Sequence, residues 1–176
     1  VNPPVGKIKV LFTADQLAAR TSELAGEISS DYAGRDLVLV AVLKGSFIFL
    51  SDLSRKLSIP ASIDFVKISS YGTAKTSSGR CEMLMDLACD ISGRHVLVIE
   101  DIVDTGNTIA FLLERLAGMK PASLKVCALL VKEQPSGGGL PVSYRGFPVG
   151  DVFVAGYGLD YEEGCRGLPY IFTLES

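Results

Sequence analysis

Residues 96–108 read Val-Leu-Val-Ile-Glu-Asp-Ile-Val-Asp-Thr-Gly-Asn-Thr. An apolar run delivers Glu100 and Asp101 side by side, and Asp104 follows three positions later. Carboxylates placed straight after an apolar strand are costly unless they hold something. They repel phosphate, but they suit sugar hydroxyls or a divalent cation that bridges to phosphate. Thr105, Gly106, Asn107 and Thr108 come next and open a helical pattern. Hydroxyls, a glycine and the unpaired N–H groups of a helix start form a phosphate cradle. Acids and cradle lie about one turn apart, the spacing a phosphorylated ribose requires. The plain alternative is that Asp104 or Thr105 merely caps the helix and the acids are solvated.

Other segments carry weaker signals. Leu43-Lys44-Gly45-Ser46 ends an apolar run with a cation and a flexible backbone, a pairing able to meet a diphosphate. Lys132 closes another apolar run. The stretch 151–161, Asp-Val-Phe-Val-Ala-Gly-Tyr-Gly-Leu-Asp-Tyr, combines three aromatics, two glycines and two acids, and Arg166 follows. Gly156 and Gly158 start a dinucleotide-binding pattern, but Tyr161 occupies the third glycine position, so that reading fails. No G-x-x-x-x-G-K-[ST] motif occurs. His95, the single histidine, precedes its strand at the end away from the expected site, which leaves a Ser-His-Asp or Cys-His mechanism without support.

These residues need a scaffold that brings strand ends together, and the chain predicts one. Strand candidates fall at 8–12, 37–43, 63–68, 96–99, 124–131, 151–155 and 170–174, with an antiparallel return at 81–87. Helical patterns fall between them: one after Thr13 with Leu17, Thr21, Leu24 and Ile28 inward, one at 47–57 with Phe47, Leu50, Leu53 and Leu57 inward, and one at 108–116. Thr13 and Gln16 fit a capping box. Segment 69–79 is small and polar and reads as a mobile loop. Buried strands alternating with helices indicate an α/β fold, a parallel twisted sheet flanked by helices. In such folds the ligand site lies beyond the carboxyl ends of the strands.

Composition narrows the function. The chain has 176 residues, 17 Lys and Arg against 20 Asp and Glu, and a net charge of −3. That balance argues against a general nucleic-acid binder. Apolar residues make up 48%, enough for a folded core. No apolar run is long enough to span a membrane. Cys81, Cys89, Cys127 and Cys165 match no common zinc spacing and read as thiols in a reducing, cytoplasmic setting. The start, Val1-Asn2-Pro3-Pro4, reads as a trimmed terminus and not as a signal peptide.

Taken with its flanking motifs, the 96–108 stretch resembles the phosphoribosyl pyrophosphate signature of the type I phosphoribosyltransferases. The remaining motifs resemble the 6-oxopurine branch, the hypoxanthine-guanine phosphoribosyltransferases of compact bacterial type, over about residues 5–174. The resemblance implies transfer of a 5-phosphoribosyl group from phosphoribosyl pyrophosphate to hypoxanthine or guanine, giving IMP or GMP and pyrophosphate in purine salvage. It implies a single domain over 1–176, with a small hood built from the N-terminal segment and roughly 150–176. It implies Asp104 as the catalytic base, and a ribose-5-phosphate site of Glu100, Asp101, Asp104, Thr105, Gly106, Asn107 and Thr108. Pyrophosphate falls to Leu43, Lys44, Gly45 and Arg166, with a cis Leu43–Lys44 bond as a family possibility. The purine falls to Lys132, Phe153, Val154 and Asp160; Ser70 and Tyr71 mark the base of the mobile loop. Magnesium is the implied cofactor, with Glu100, Asp101 and Asp160 as its ligands. A homo-oligomer, dimer or tetramer, is also implied. The competing readings are a xanthine-guanine enzyme and a non-catalytic regulator that senses the sugar diphosphate. The segment 133–148, with Gly137-Gly138-Gly139, matches the family least and reads as part of a subunit contact or of the hood.

Overall fold

The structure is a computed structural model that describes residues 8–71, 80–132 and 142–175. Its elements in chain order are β1 (Ile8–Phe12), α1 (Ala14–Asp31), β2 (Leu37–Leu43), α2 (Phe47–Lys56), β3 (Ala61–Tyr71) and β4 (Arg80–Met85). They continue with β5 (His95–Val103), α3 (Asn107–Ala117), β6 (Ser123–Lys132), β7 (Tyr144–Val149) and β8 (Ile171–Leu174).

The run Leu-Val-Leu-Val-Ala-Val-Leu is apolar on both faces, and it becomes β2, an inner strand. Successive side chains of a strand point to opposite faces. Leu37, Leu39 and Ala41 therefore enter one core layer, with Leu24, Ile28, Phe49 and Leu53 of α1 and α2. Val38, Val40 and Val42 enter the other, with Ile109, Leu112 and Leu116 of α3. Each fully buried Leu or Val contributes about 1.5–3 kcal/mol of hydrophobic stabilisation.

The six-stranded sheet runs in the order β4-β3-β2-β5-β6-β7. All its pairings are parallel except β3 with β4. Ala41 is level with Ile99, and Val103 with Val131. The carboxyl ends of β2, β5 and β6 thus open on one edge of the sheet. A second, two-stranded sheet pairs β1 with β8 antiparallel. It is tied to the main sheet by stacking of Phe12 on Phe147, ring centroids 4.3 Å apart.

The predicted capping box of α1 is present. The Gln16 N–H donates to Thr13 Oγ1 at 3.3 Å, and the Thr13 N–H donates to Gln16 Oε1 at 2.9 Å. Several expectations are corrected. In α2 the inward face carries Phe49, Leu50 and Leu53, whereas Phe47 is 39% exposed. Helical spacing admits either phenylalanine, and Phe49 packs with the α1 face. The strand expected at 151–155 does not form; only Ala155 bridges, to Phe172. A strand that patterning missed, β7, lies at the sheet edge. Ser69, Ser70 and Tyr71, expected in a loop, extend β3 opposite Glu82, Cys81 and Arg80. The rest of that loop, 72–79, lies outside the described residues, as does Gly137-Gly138-Gly139.

Candidate functional site

β5 does not stop at Ile99 as its apolar run predicts. It continues to Val103, so Glu100 sits within the strand, level with Ala128 of β6. Glu100 is buried, and its Oε2 has no hydrogen-bond partner among the described residues. Burial, then the charge of neighbouring Asp101, pushes the Glu100 carboxyl well above the usual carboxylate range. Enclosure raises Asp101 too, partly offset by its hydrogen bond with Glu100, by backbone N–H groups and, least, by the positive charge of Arg166. An enclosed acid pair with an orphaned oxygen is short of positive charge or of donors.

The turn after β2 packs onto this pair. The Leu43–Lys44 peptide bond is cis. At Gly45 an added Cβ would run into the Asp101 carboxylate. Gly158, at φ +106°, leaves in turn just enough room for the Gly45 carbonyl. The turn holding Gly158 is anchored to α2 by Tyr157, whose hydroxyl donates to Asp52 Oδ2 at 2.7 Å.

α3 begins without a side-chain cap. Its N-cap is Gly106, in the left-handed region at φ +83°, which has no side chain to bond the first-turn N–H groups. The N-cap is thus neither Asp104 nor Thr105. A hollow of about 100 Å³ at this helix start is lined by residues that include Glu100, Asp104, Thr105, Gly106, Asn107 and Thr108. Such a helix start attracts anions through its N–H groups and dipole.

A wider cleft of about 270 Å³ adjoins it, and both are lined by Ile102 and Asp104. Asp101, Asp104, Lys132, Phe153, Asp160 and Arg166 stand around this cleft, with Val154. Its size is near the lower end for small-molecule sites. Lys132, the last residue of β6, donates to Asp104 Oδ2 at 3.0 Å and to Asp151 Oδ1 at 3.3 Å. The Asp104 hydrogen bond, outweighing burial, raises the Lys132 ammonium above its ordinary value, so it stays charged. Phe153 is 51% exposed and meets Tyr161 edge-on, with centroids 5.8 Å apart. Arg166 donates to the Gly158 carbonyl and to Asp160 Oδ1, each at 2.7 Å.

The structure therefore brings together Asp101, Asp104, Lys132, Phe153, Val154, Asp160 and Arg166, with Glu100 and residues 105–108 next door. It does not gather the expected metal trio. Among the described residues no three His, Cys, Asp or Glu side chains stand close enough to hold a metal, and Asp160 engages Arg166. Lys44 reaches Glu163 at 3.5 Å across exposed surface. Two neighbours escaped sequence reasoning, Asp151 and Glu163. The only signal for Asp151 was its position just before Val-Phe-Val.

A model of the phosphoribosyl transferase domain matches residues 9–162. The chain belongs to that family. The hypoxanthine-guanine phosphoribosyltransferase of Mycobacterium avium is 46% identical over 177 residues, covering 97% of this chain and 87% of the relative. The enzyme of the same name from Dictyostelium discoideum is 45% identical over 171 residues, 95% of each chain. Among solved structures, a hypoxanthine-guanine phosphoribosyltransferase of Bacillus anthracis, with a HEPES molecule in its active site, superposes with a TM-score of 0.90. It is 40% identical and covers 96% of this phosphoribosyl transferase and 100% of its own chain. The mostly parallel sheet with flanking helices is the type I phosphoribosyltransferase fold.

Proposed function

We propose that this phosphoribosyl transferase moves a 5-phosphoribosyl group from phosphoribosyl pyrophosphate to hypoxanthine or guanine, releasing pyrophosphate and IMP or GMP. The carrying observation is the meeting of Lys132 and Asp104 in one cleft beside the exposed ring of Phe153. An ammonium has only donors to offer, so it selects a base that presents an acceptor at C6; adenine presents a donor there. Phe153 stacks on the base and Val154 meets its edge. Asp104 takes the proton from purine N7 as N9 forms its bond to the anomeric carbon. That carbon becomes oxocarbenium-like as pyrophosphate departs, and donors fixed at the leaving group favour this charge separation.

Lys44, the backbone at Leu43 and Gly45, and Arg166 hold the leaving pyrophosphate. Residues 105–108 hold the 5′-phosphate, which fixes the reacting carbon. Glu100 and Asp101 take the ribose diol. The same pair, with the orphaned Oε2 of Glu100, would hold a magnesium ion. When bound, the ion supplies neutralising charge to the diphosphate. Asp160 acts through Arg166, which it holds in place.

The two-stranded sheet of β1 and β8, with the segment 150–170, serves as the hood over the base. Exposed Ile63, Leu84 and Met85 on β3 and β4 offer apolar surface for a homo-oligomer. No disulfide joins the four cysteines, which suits a reducing cytoplasm. Among the described residues no helix is long and apolar enough to cross a membrane.

The test is product identification. With phosphoribosyl pyrophosphate, magnesium and hypoxanthine, the protein is expected to form IMP and pyrophosphate in equal amounts. No nucleotide after prolonged incubation overturns the reading.

A further inference from the structure

We infer that Asp151 is a positioning residue that aims Lys132 and so sets the preference for a 6-oxo base. The inference rests on the reading of the cleft as the base site. An ammonium carries three N–H donors. Lys132 gives one to Asp104 Oδ2 at 3.0 Å and one to Asp151 Oδ1 at 3.3 Å. The third is left for a ligand, and the two carboxylates determine its direction. Lys132 keeps 18% of its side-chain surface and belongs to the cleft wall, whereas Asp151 is fully exposed and stands outside it. Asp151 touches no proposed substrate position, so its influence passes through Lys132.

The two acids are unequal in role. Asp104 is needed for the purine proton. If it were the only acceptor, Lys132 would be drawn wholly onto it and away from the exocyclic oxygen. A second carboxylate on the far side shares the ammonium and holds it between the two. Gly150 is exposed and precedes Asp151, and no strand pairing fixes 151–154. The position of Asp151 therefore depends on its bond to Lys132 as much as the reverse. Asp151→Asn keeps the size and an acceptor but removes the charge. Asp151→Glu keeps the charge.

Steady-state kinetics on the full chain test this, with hypoxanthine, adenine and phosphoribosyl pyrophosphate each varied. Turnover of hypoxanthine by the wild type is required first; its absence defeats the reading of the cleft and says so independently of any variant. Given turnover, Asp151→Asn is expected to raise the KM for hypoxanthine about two- to fivefold, the range of an exposed ion pair. The KM for phosphoribosyl pyrophosphate and the melting temperature should not move. The preference for hypoxanthine over adenine should fall by a similar factor, and Asp151→Glu should restore most of it. An unchanged hypoxanthine KM overturns the inference while leaving the proposed function standing. A joint rise of both KM values with a lower melting temperature overturns it as well, because that marks a purely structural role.

Discussion

The bare α-carbon of Gly45 lies against the carboxylate of Asp101, leaving no room for a methyl group at residue 45. The two residues come from different strand ends, the turn after β2 and the extension of β5. Their contact fixes the distance between the proposed pyrophosphate turn and the proposed ribose acids. Gly158 repeats the arrangement one layer out, against the Gly45 carbonyl.

Gly45→Ala is therefore expected to displace either the turn or Asp101. Overpacking of this kind costs about 1–3 kcal/mol. If the strain falls on bound substrate, kcat/KM for phosphoribosyl pyrophosphate should drop by about tenfold or more. Initial rates with the sugar diphosphate varied check this. A normal kcat/KM would show that the contact does not position the site.

Asp104→Asn removes the proposed general base but keeps a hydrogen-bond acceptor for Lys132. General base catalysis is typically worth about 10²–10⁴-fold, so kcat should fall by about that factor with a smaller change in KM. Unchanged kcat in this variant would exclude the role.

Lys132→Ala should chiefly weaken the base. A hydrogen bond to a charged group is worth about 1.5–3 kcal/mol, which corresponds to roughly 10–150-fold in the KM for hypoxanthine. The KM for phosphoribosyl pyrophosphate should change far less. Titration of the variant with each substrate separately distinguishes the two effects.

Asp64 offers a test of stability away from the chemistry. Its Oδ2 accepts from the N–H groups of Ala88 and Cys89, and its Oδ1 from that of Phe65, each at 2.8 Å. Burial pushes this carboxyl up, but the backbone donors outweigh it and the net shift is downward. A depressed native value stabilises the fold above the unfolded value near about 4, and the contribution is lost as pH falls through the native value. Asp64→Ala should cost about 2 kcal/mol at pH 7. The gap between wild type and variant in urea melts should narrow steadily below pH about 4. An equal gap at pH 7 and at pH 3 would contradict the assignment.

Much of this architecture is legible in the residues. The apolar runs of β2 and β6 mark inner strands, and their stops at Lys44 and Lys132 mark the sheet edge on which the candidate site lies. Three features resisted reading, each for a physical reason. β7 contains Gly146 and Pro148, which normally argue against a strand. It tolerates Pro148 because it lies at the sheet edge, and Gly146 is required because the Leu129 carbonyl packs where a Cβ would be. The apolar run 152–155 imitated a strand, but its residues Val152 and Phe153 are exposed at the cleft. Glu100 looked like a strand-end acid, yet backbone pairing with β6 carries it inside the sheet. Patterning reports side chains, and strand length is set by the backbone partner.

Within the site, local motifs supplied the acids, the cradle, Lys132 and the 153–166 stretch. What they could not supply was the pairing between them. The bridge from Lys132 to Asp104 spans 28 positions, and that from Lys44 to Glu163 spans 119. Such contacts are products of the fold.

The most direct measurement is the initial rate with phosphoribosyl pyrophosphate and magnesium against hypoxanthine, guanine, xanthine and adenine. Turnover of hypoxanthine or guanine with little or none of adenine is the predicted result. Absence of turnover with all four bases, or equal use of adenine, would contradict the account.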